Sequence, residues 1–92
     1  MAGKVVLITG ASRGIGAAVA RRLASQGATP ALVGLEPDEL AKVAADCGPD
    51  AGWWEADVTD TESLRQAVEA IAERYGRIDV VIANAGIAAP GF

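Results

Sequence analysis

The 92-residue sequence contains no histidine and only one cysteine, Cys47. Without histidine, every His-based metal site and every Ser-His or Cys-His dyad is excluded. A lone thiol closes no internal disulfide, so a reducing, cytoplasmic setting is expected, with Cys47 as a structural thiol packed in the core. Basic residues are also scarce. Eight Lys and Arg stand against twelve Asp and Glu, for a net charge of −4, and the clustered positive charge of a nucleic-acid surface is missing. Long hydrophobic runs are absent as well. After Met1-Ala2-Gly3-Lys4 comes Val5 to Ile8, too short for the apolar segment of a signal peptide or for a bilayer span. Ala2 occupies the position where myristoylation needs glycine. A soluble, untargeted chain is expected, with no linker, no low-complexity tract and no solenoid-type repeat.

What the sequence does have is apolar content, 51 % of residues, which is enough for one small core with little margin of stability. That content alternates between two patterns. Val5 to Ile8 is a continuous apolar run, as in a strand covered on both faces, Ala31 to Val33 is a second, weaker run, and Trp53 to Ala56 and Ile78 to Ala83 are a third and a fourth. Between them lie helical spacings: Ile15, Val19 and Leu23; then Leu40, Val43, Ala44 and Cys47; then Leu64, Val68, Ile71 and Tyr75. Gly27, Gly48 and Gly76 follow these segments, where a left-handed residue closes a helix. Pro37, followed by Asp38 and Glu39, suits a helix start, and Thr59 with Glu62 has capping-box spacing. The adjacent Trp53 and Trp54 face opposite sides of their strand, and both are expected to pack in the core.

The resulting order, β-α-β-α-β-α-β, predicts parallel strands joined by right-handed crossovers. This is an α/β fold of the Rossmann type, a doubly wound parallel sheet of which the first four strands and three helices are present. A flavodoxin-like arrangement is disfavoured by the glycine-rich stretch that ends the first strand.

That stretch reads Thr9-Gly10-Ala11-Ser12-Arg13-Gly14-Ile15-Gly16. Glycines tolerate unusual backbone angles and let a pyrophosphate approach closely, and the following helix offers N–H groups and a positive dipole end. Ser12 and Arg13 add a hydroxyl and a charge. The alternative is a tight structural turn without a ligand.

Thr9 to Gly16 resembles the signature of the short-chain dehydrogenase/reductase family. So do Asp57-Val58 after the third strand and Asn84-Ala85-Gly86 after the fourth, the latter with Ala83 in place of the motif's first Asn. The resemblance spans the whole chain. It implies an oxidoreductase that transfers hydride between NAD or NADP and a small carbonyl or alcohol substrate, with the intact protein a homo-oligomer. Gly10, Ser12, Arg13, Gly14, Ile15 and Gly16 would hold the pyrophosphate, Asp57 and Val58 the adenine, and Asn84, Ala85 and Gly86 would line the cofactor. Asp57 is otherwise a capping or loop aspartate, and Asn84 and Gly86 otherwise form a structural turn.

The acidic residue that reads the ribose 2′-hydroxyl should close the second strand, yet Gly34 stands there. Glu36 lies about 20 residues after Gly16 and either reaches the ribose or is a helix-start carboxylate beside Pro37. Leu35 stands where NADP-preferring members often carry Arg, whereas Arg13 resembles the basic residue some of them use. The choice between NAD and NADP stays open at this level.

The family's catalytic Ser and Tyr-x-x-x-Lys have no counterpart here. The only tyrosine is Tyr75, and Asp79 occupies the position four residues on. Lys4 and Lys42 read as ordinary solvated lysines. The 92 residues are expected to form a partial NAD(P)-binding domain, inactive alone, marginally stable or self-associating. A nucleotide-binding module, stand-alone or completed by another polypeptide, and a non-functional remnant are the other readings.

Overall fold

The apolar runs become strands, of which the first two are buried on both faces. A computed structural model describes residues 2–84. Its elements are β1 (Val5–Thr9), α1 (Gly14–Ser25), β2 (Thr29–Gly34), α2 (Pro37–Cys47), β3 (Gly52–Glu55), α3 (Thr61–Tyr75) and β4 (Val80–Ala83). The strands form one parallel sheet in the order β3-β2-β1-β4. Successive side chains of β1 and β2 point to opposite faces. Val6, Ile8 and Leu32 pack with Ala17, Ala20, Leu40 and Val43 under α1 and α2. Leu7, Ala31 and Val33 pack with Ala67 and Ile71 under α3. Helices thus cover both faces, as the doubly wound reading requires.

Several local expectations shift. Ile15 is 70 % exposed and does not share the apolar stripe with Val19 and Leu23. Helix α1 instead buries Gly16, Ala17 and Ala20. Small residues let it lie close to the sheet, and that contact rotates Ile15 outward at the first turn. Trp53 is 40 % exposed, because β3 is an edge strand open on its unpaired side. Trp54 keeps the expected packing, edge-on to Tyr75 with ring centroids 6.2 Å apart. Cys47 is half-buried against the α1–α2 core, and burial pushes its thiol up.

The cap of α3 is Asp60 rather than Thr59: its Oδ1 accepts from the backbone N–H groups of Glu62 and Ser63 at 3.0 and 3.3 Å. The Thr59 hydroxyl is engaged elsewhere, donating to Asp57 Oδ1 at 2.6 Å. Gly76 closes α3 in the left-handed conformation (φ 80°, ψ −8°), and its N–H donates to Ala72 O at 2.7 Å. Gly48 has positive φ (110°) but an extended ψ of 176°, so it redirects the chain after α2 without a left-handed cap.

Strand β4 begins at Val80, two residues later than the sequence pattern suggested, and Asp79 anchors its start. The Val5 N–H donates to Asp79 Oδ2 at 2.8 Å and the Asp79 N–H donates to Val5 O at 2.9 Å. Arg77 Nε donates to the same Oδ2 at 2.9 Å. The Val5 N–H, then Arg77 and Lys4, hold the Asp79 carboxyl below its ordinary 3.8. A depressed folded-state value contributes stability that is present above pH 3.8 and is lost as pH falls from there through the folded value. Asp79→Asn is expected to lower the melting midpoint at neutral pH and to flatten its decline in acid. Thermal melts from neutral pH down to about pH 2 check this, and parallel acid limbs for variant and parent would contradict it.

On the α3 side of β4, Val81 is 61 % exposed. Beside it lies an apolar cavity of about 320 Å³ between the sheet and α3, lined by Leu7, Leu64, Val68, Ile78 and Val81 among others.

Candidate functional site

The strand order reverses between β1 and β4. The chain reaches one edge of the sheet at β3 and crosses to the other edge at β4. Ligands of open α/β sheets bind beyond the carboxyl ends of the strands at such a switch point. A cavity of about 300 Å³ lies there. Gly10, Ser12, Arg13, Glu36, Val58 and Asn84 line it, together with Gly34, Leu35 and Ala56. The first six come from four separate stretches of sequence, and the fold gathers them at one end of the sheet.

The glycine-rich turn has the backbone its composition requires. Gly10 and Gly14 take φ values of 64° and 62°, where a side chain is strained. The Ala11 N–H donates to Val33 O at 3.2 Å and ties the turn to β2. Gly16 is required for a different reason. A Cβ built on it would overlap the Gly10 carbonyl oxygen and stand 2.8 Å from Asn84 Nδ2. That same Nδ2 donates to Gly10 O at 3.3 Å. Asn84 thus fastens the end of β4 to the glycine turn. Helix α1 starts at Gly14 with no acidic residue in its first turn. Its first N–H groups have no intrahelical acceptors, and its positive dipole end is unopposed by a carboxylate of its own.

Glu36 occupies the N-cap position of α2 but makes no side-chain cap bond. Its carboxylate instead engages the glycine turn. Ser12 Oγ and Arg13 Nε each donate to Oε1 at 2.9 Å, and Arg13 Nη2 donates to Oε2. The Ser12 hydrogen bond, then those from Arg13 and the charge of its guanidinium, hold the Glu36 carboxyl below its ordinary 4.5. Glu36 thus starts α2 with its backbone, and its side chain lines the cavity.

Asp57 is placed differently from the other candidates. Its Oδ1 accepts from the Thr59 N–H at 2.9 Å and from the Thr59 hydroxyl, and these bonds hold its carboxyl below the ordinary 3.8. Its own N–H donates to Ser63 Oγ at 3.1 Å. The residues on either side of it, Ala56 and Val58, line the cavity, whereas Asp57 does not. Gly14, Ile15 and Gly16 shape the turn without lining the cavity, and Ala85 and Gly86 lie outside the described residues.

The sequence profile described as short chain dehydrogenase matches residues 4–92. The chain belongs to the short-chain dehydrogenase family. Among curated relatives, the cis-4-hydroxycyclohexanecarboxylate dehydrogenase of Sinomonas cyclohexanicum is 43 % identical over 89 residues, covering 95 % of this chain and 36 % of the relative. The 3-ketoacyl-(acyl-carrier-protein) reductase of Brucella melitensis, solved with NADH, superposes with a TM-score of 0.84 at 35 % identity, covering 87 % of this chain and 33 % of that one. The alcohol dehydrogenase of Thermococcus sibiricus, solved with 5-hydroxy-NADP, gives a TM-score of 0.81 at 41 % identity, covering 85 % and 35 %. This chain therefore spans about a third of the length of the short-chain dehydrogenases it matches.

Tyr75, the last residue of α3, donates its hydroxyl to Asp50 O at 2.7 Å, and burial pushes its pKa up. Among the described residues no group of three or more His, Cys, Asp or Glu is placed to hold a metal ion, and no helix is long and apolar enough to cross a membrane. Sequence reasoning missed two features. One is the Asp79 anchor, which has no local signal because its partner lies 74 residues away. The other is the Asp60 cap, whose Asp-x-x-Ser spacing to Ser63 competes with Thr59 and Glu62.

Proposed function

We propose that this chain is the adenosine-pyrophosphate-binding part of an NAD(P)-dependent oxidoreductase. One observation carries the reading: the cavity at the carboxyl ends of the strands is walled by the glycine turn, Glu36 and Asn84 together. The residues present suit a dinucleotide. The open first turn of α1 and the Gly10 and Gly14 backbone suit the pyrophosphate, Glu36 stands beside the ribose region, and Val58 and the exposed Leu35 offer apolar surface to adenine. Asp57 would serve the adenine edge from the rim. When bound, the cofactor supplies the hydride donor or acceptor. This chain's own part is to bind and orient it.

The intact protein is read as a cytoplasmic homo-oligomer acting on a small carbonyl or alcohol. Family membership and the dehydrogenases and reductases named above support this reading. Calorimetric titration of the 92-residue chain with NADH is the test. Saturable binding is expected, with no turnover of alcohols or ketones. No heat of binding would contradict the reading. A second reading, a module completed by another polypeptide, is favoured by the exposed Val81 and the apolar cavity beside it. Activity restored by adding the C-terminal part of a relative would support it.

A further inference from the structure

Asp57 stands at the rim of the strand-end cavity, between the lining residues Ala56 and Val58. Nearly every polar atom it has is taken. Its N–H donates to Ser63 Oγ at 3.1 Å, and its carbonyl oxygen accepts from the Asp60 N–H at 3.0 Å. Its Oδ1 accepts twice from Thr59, from the backbone N–H at 2.9 Å and from the hydroxyl at 2.6 Å. Oδ2 alone has no donor among the described residues. Thr59 itself is exposed, does not line the cavity and does not cap α3, since Asp60 does. We propose that Thr59 is a positioning residue for base recognition: by holding Oδ1 of Asp57 with two donors it keeps Oδ2 as an open acceptor at the rim, so that preference for a base with an exocyclic amine depends on the Thr59 hydroxyl. This rests on the dinucleotide reading of the cavity and on Asp57 serving the adenine edge.

The argument is a matter of freedom and of donor count. The last torsion of an aspartate is soft, and an unheld carboxylate turns readily. Two donors from one residue fix one of its oxygens, and the ordering is complete before a ligand arrives. The same bonds, the hydroxyl first and the backbone N–H second, hold the Asp57 carboxyl below its ordinary 3.8. At neutral pH the group is therefore ionised, and an ionised carboxylate only accepts. An acceptor-only oxygen favours a base edge that presents N–H, as the amine of adenine does, and gains nothing from a bare C–H. Ser63 holds the other end: its Oγ ties the backbone of Asp57 to the start of α3, so the carboxylate turns about a fixed point. The backbone N–H of Thr59 survives any substitution except proline, so the contribution of the hydroxyl can be removed by itself.

The test is calorimetric titration of the 92-residue chain with ADP-ribose and with its 6-deamino analogue, which carries hydrogen in place of the adenine amine, for the parent, Thr59→Ser and Thr59→Val. The parent is expected to bind ADP-ribose about tenfold more tightly than the analogue, as befits one charge-assisted hydrogen bond. Thr59→Ser, which restores the hydroxyl, is expected to keep that ratio. Thr59→Val is expected to lower it to about threefold or less, through weaker binding of ADP-ribose with the analogue unchanged. Thr59→Ala repeats the removal should the valine variant not fold. An unchanged ratio, or equal weakening of both ligands as a merely structural role would give, overturns the inference. A parent without preference also overturns it and leaves the dinucleotide reading standing. A parent that binds neither ligand overturns both.

Discussion

Gly16→Ala is expected to destabilise the chain and to remove nucleotide binding together. The added Cβ meets the Gly10 carbonyl oxygen, which is backbone, and the Asn84 amide that fastens β4 to the turn. Backbone cannot step aside as the end of a flexible side chain can. Either α1 lifts from the sheet or the turn loses the conformation set by Gly10 and Gly14. Overpacking of this kind costs about 1–3 kcal/mol, a sizeable share of the roughly 5–15 kcal/mol that holds a small domain folded. Gly14→Ala is the informative control. Nothing lies within 4 Å of its added Cβ, so its penalty is the strain of a φ of 62° alone. Thermal melts and ADP-ribose titrations of both variants separate the effects. The account expects the Gly16 variant to fall further on both measures. Equal behaviour would show that close helix approach does not shape the site.

The second large effect is expected from the core. Leu32 is fully buried in the middle of β2, with Ile8 opposite it in the ladder to β1. Leu32→Ala removes apolar contact under both α1 and α2 and is expected to destabilise by about 3 kcal/mol. For a chain of this size that lowers the melting midpoint by roughly 10–25 °C. The exposed Val81→Ala, made as a comparison, is expected to stay within about 0.5 kcal/mol of the parent. Chemical denaturation of the two variants measures both. Similar losses would mean that β4 is covered in solution and that Val81 belongs to a packed interface.

These contrasts also show which parts of the molecule were legible before any coordinates. The alternation of apolar runs and helical spacings identified all seven elements, because strands buried on both faces and helices with one apolar side leave different periods. The glycine turn was equally legible, since Gly10 and Gly14 stand where only positive φ closes the turn. What escaped depended on competition between neighbours. Ile15 fits the helical period, yet α1 turns its small residues inward, because Gly16 and Ala20 allow a closer contact than Ile15 would. Trp53 reads as core from its apolar run, but the edge position of β3 follows from sheet order rather than from the strand's own residues. Thr59 and Asp60 offered two adjacent caps, and Asp57 decided between them by taking the Thr59 hydroxyl.

The candidate site divides in the same way. Its backbone portion was written locally in Thr9 to Gly16. The position of Glu36 was legible as well, but the direction of its carboxylate was not. That direction comes from Ser12 and Arg13, 24 and 23 residues earlier in the chain, which the parallel pairing of β1 with β2 brings to the same end of the sheet. Asp57 shows the converse. Its motif was legible, but the Asx turn it makes with Thr59 keeps it at the rim while Val58 takes the cavity wall.

The central claim is that the cavity beyond β1, β2 and β4 holds the adenosine-pyrophosphate half of a dinucleotide. Backbone amide NMR of the chain titrated with ADP-ribose tests it most directly. The account predicts saturable shifts at Gly14, Ile15 and Gly16 in the first turn of α1 and at Leu35, Glu36 and Val58, with the α3 face near Val68 unmoved. Shifts confined to the α3 face, or none at all, would contradict it.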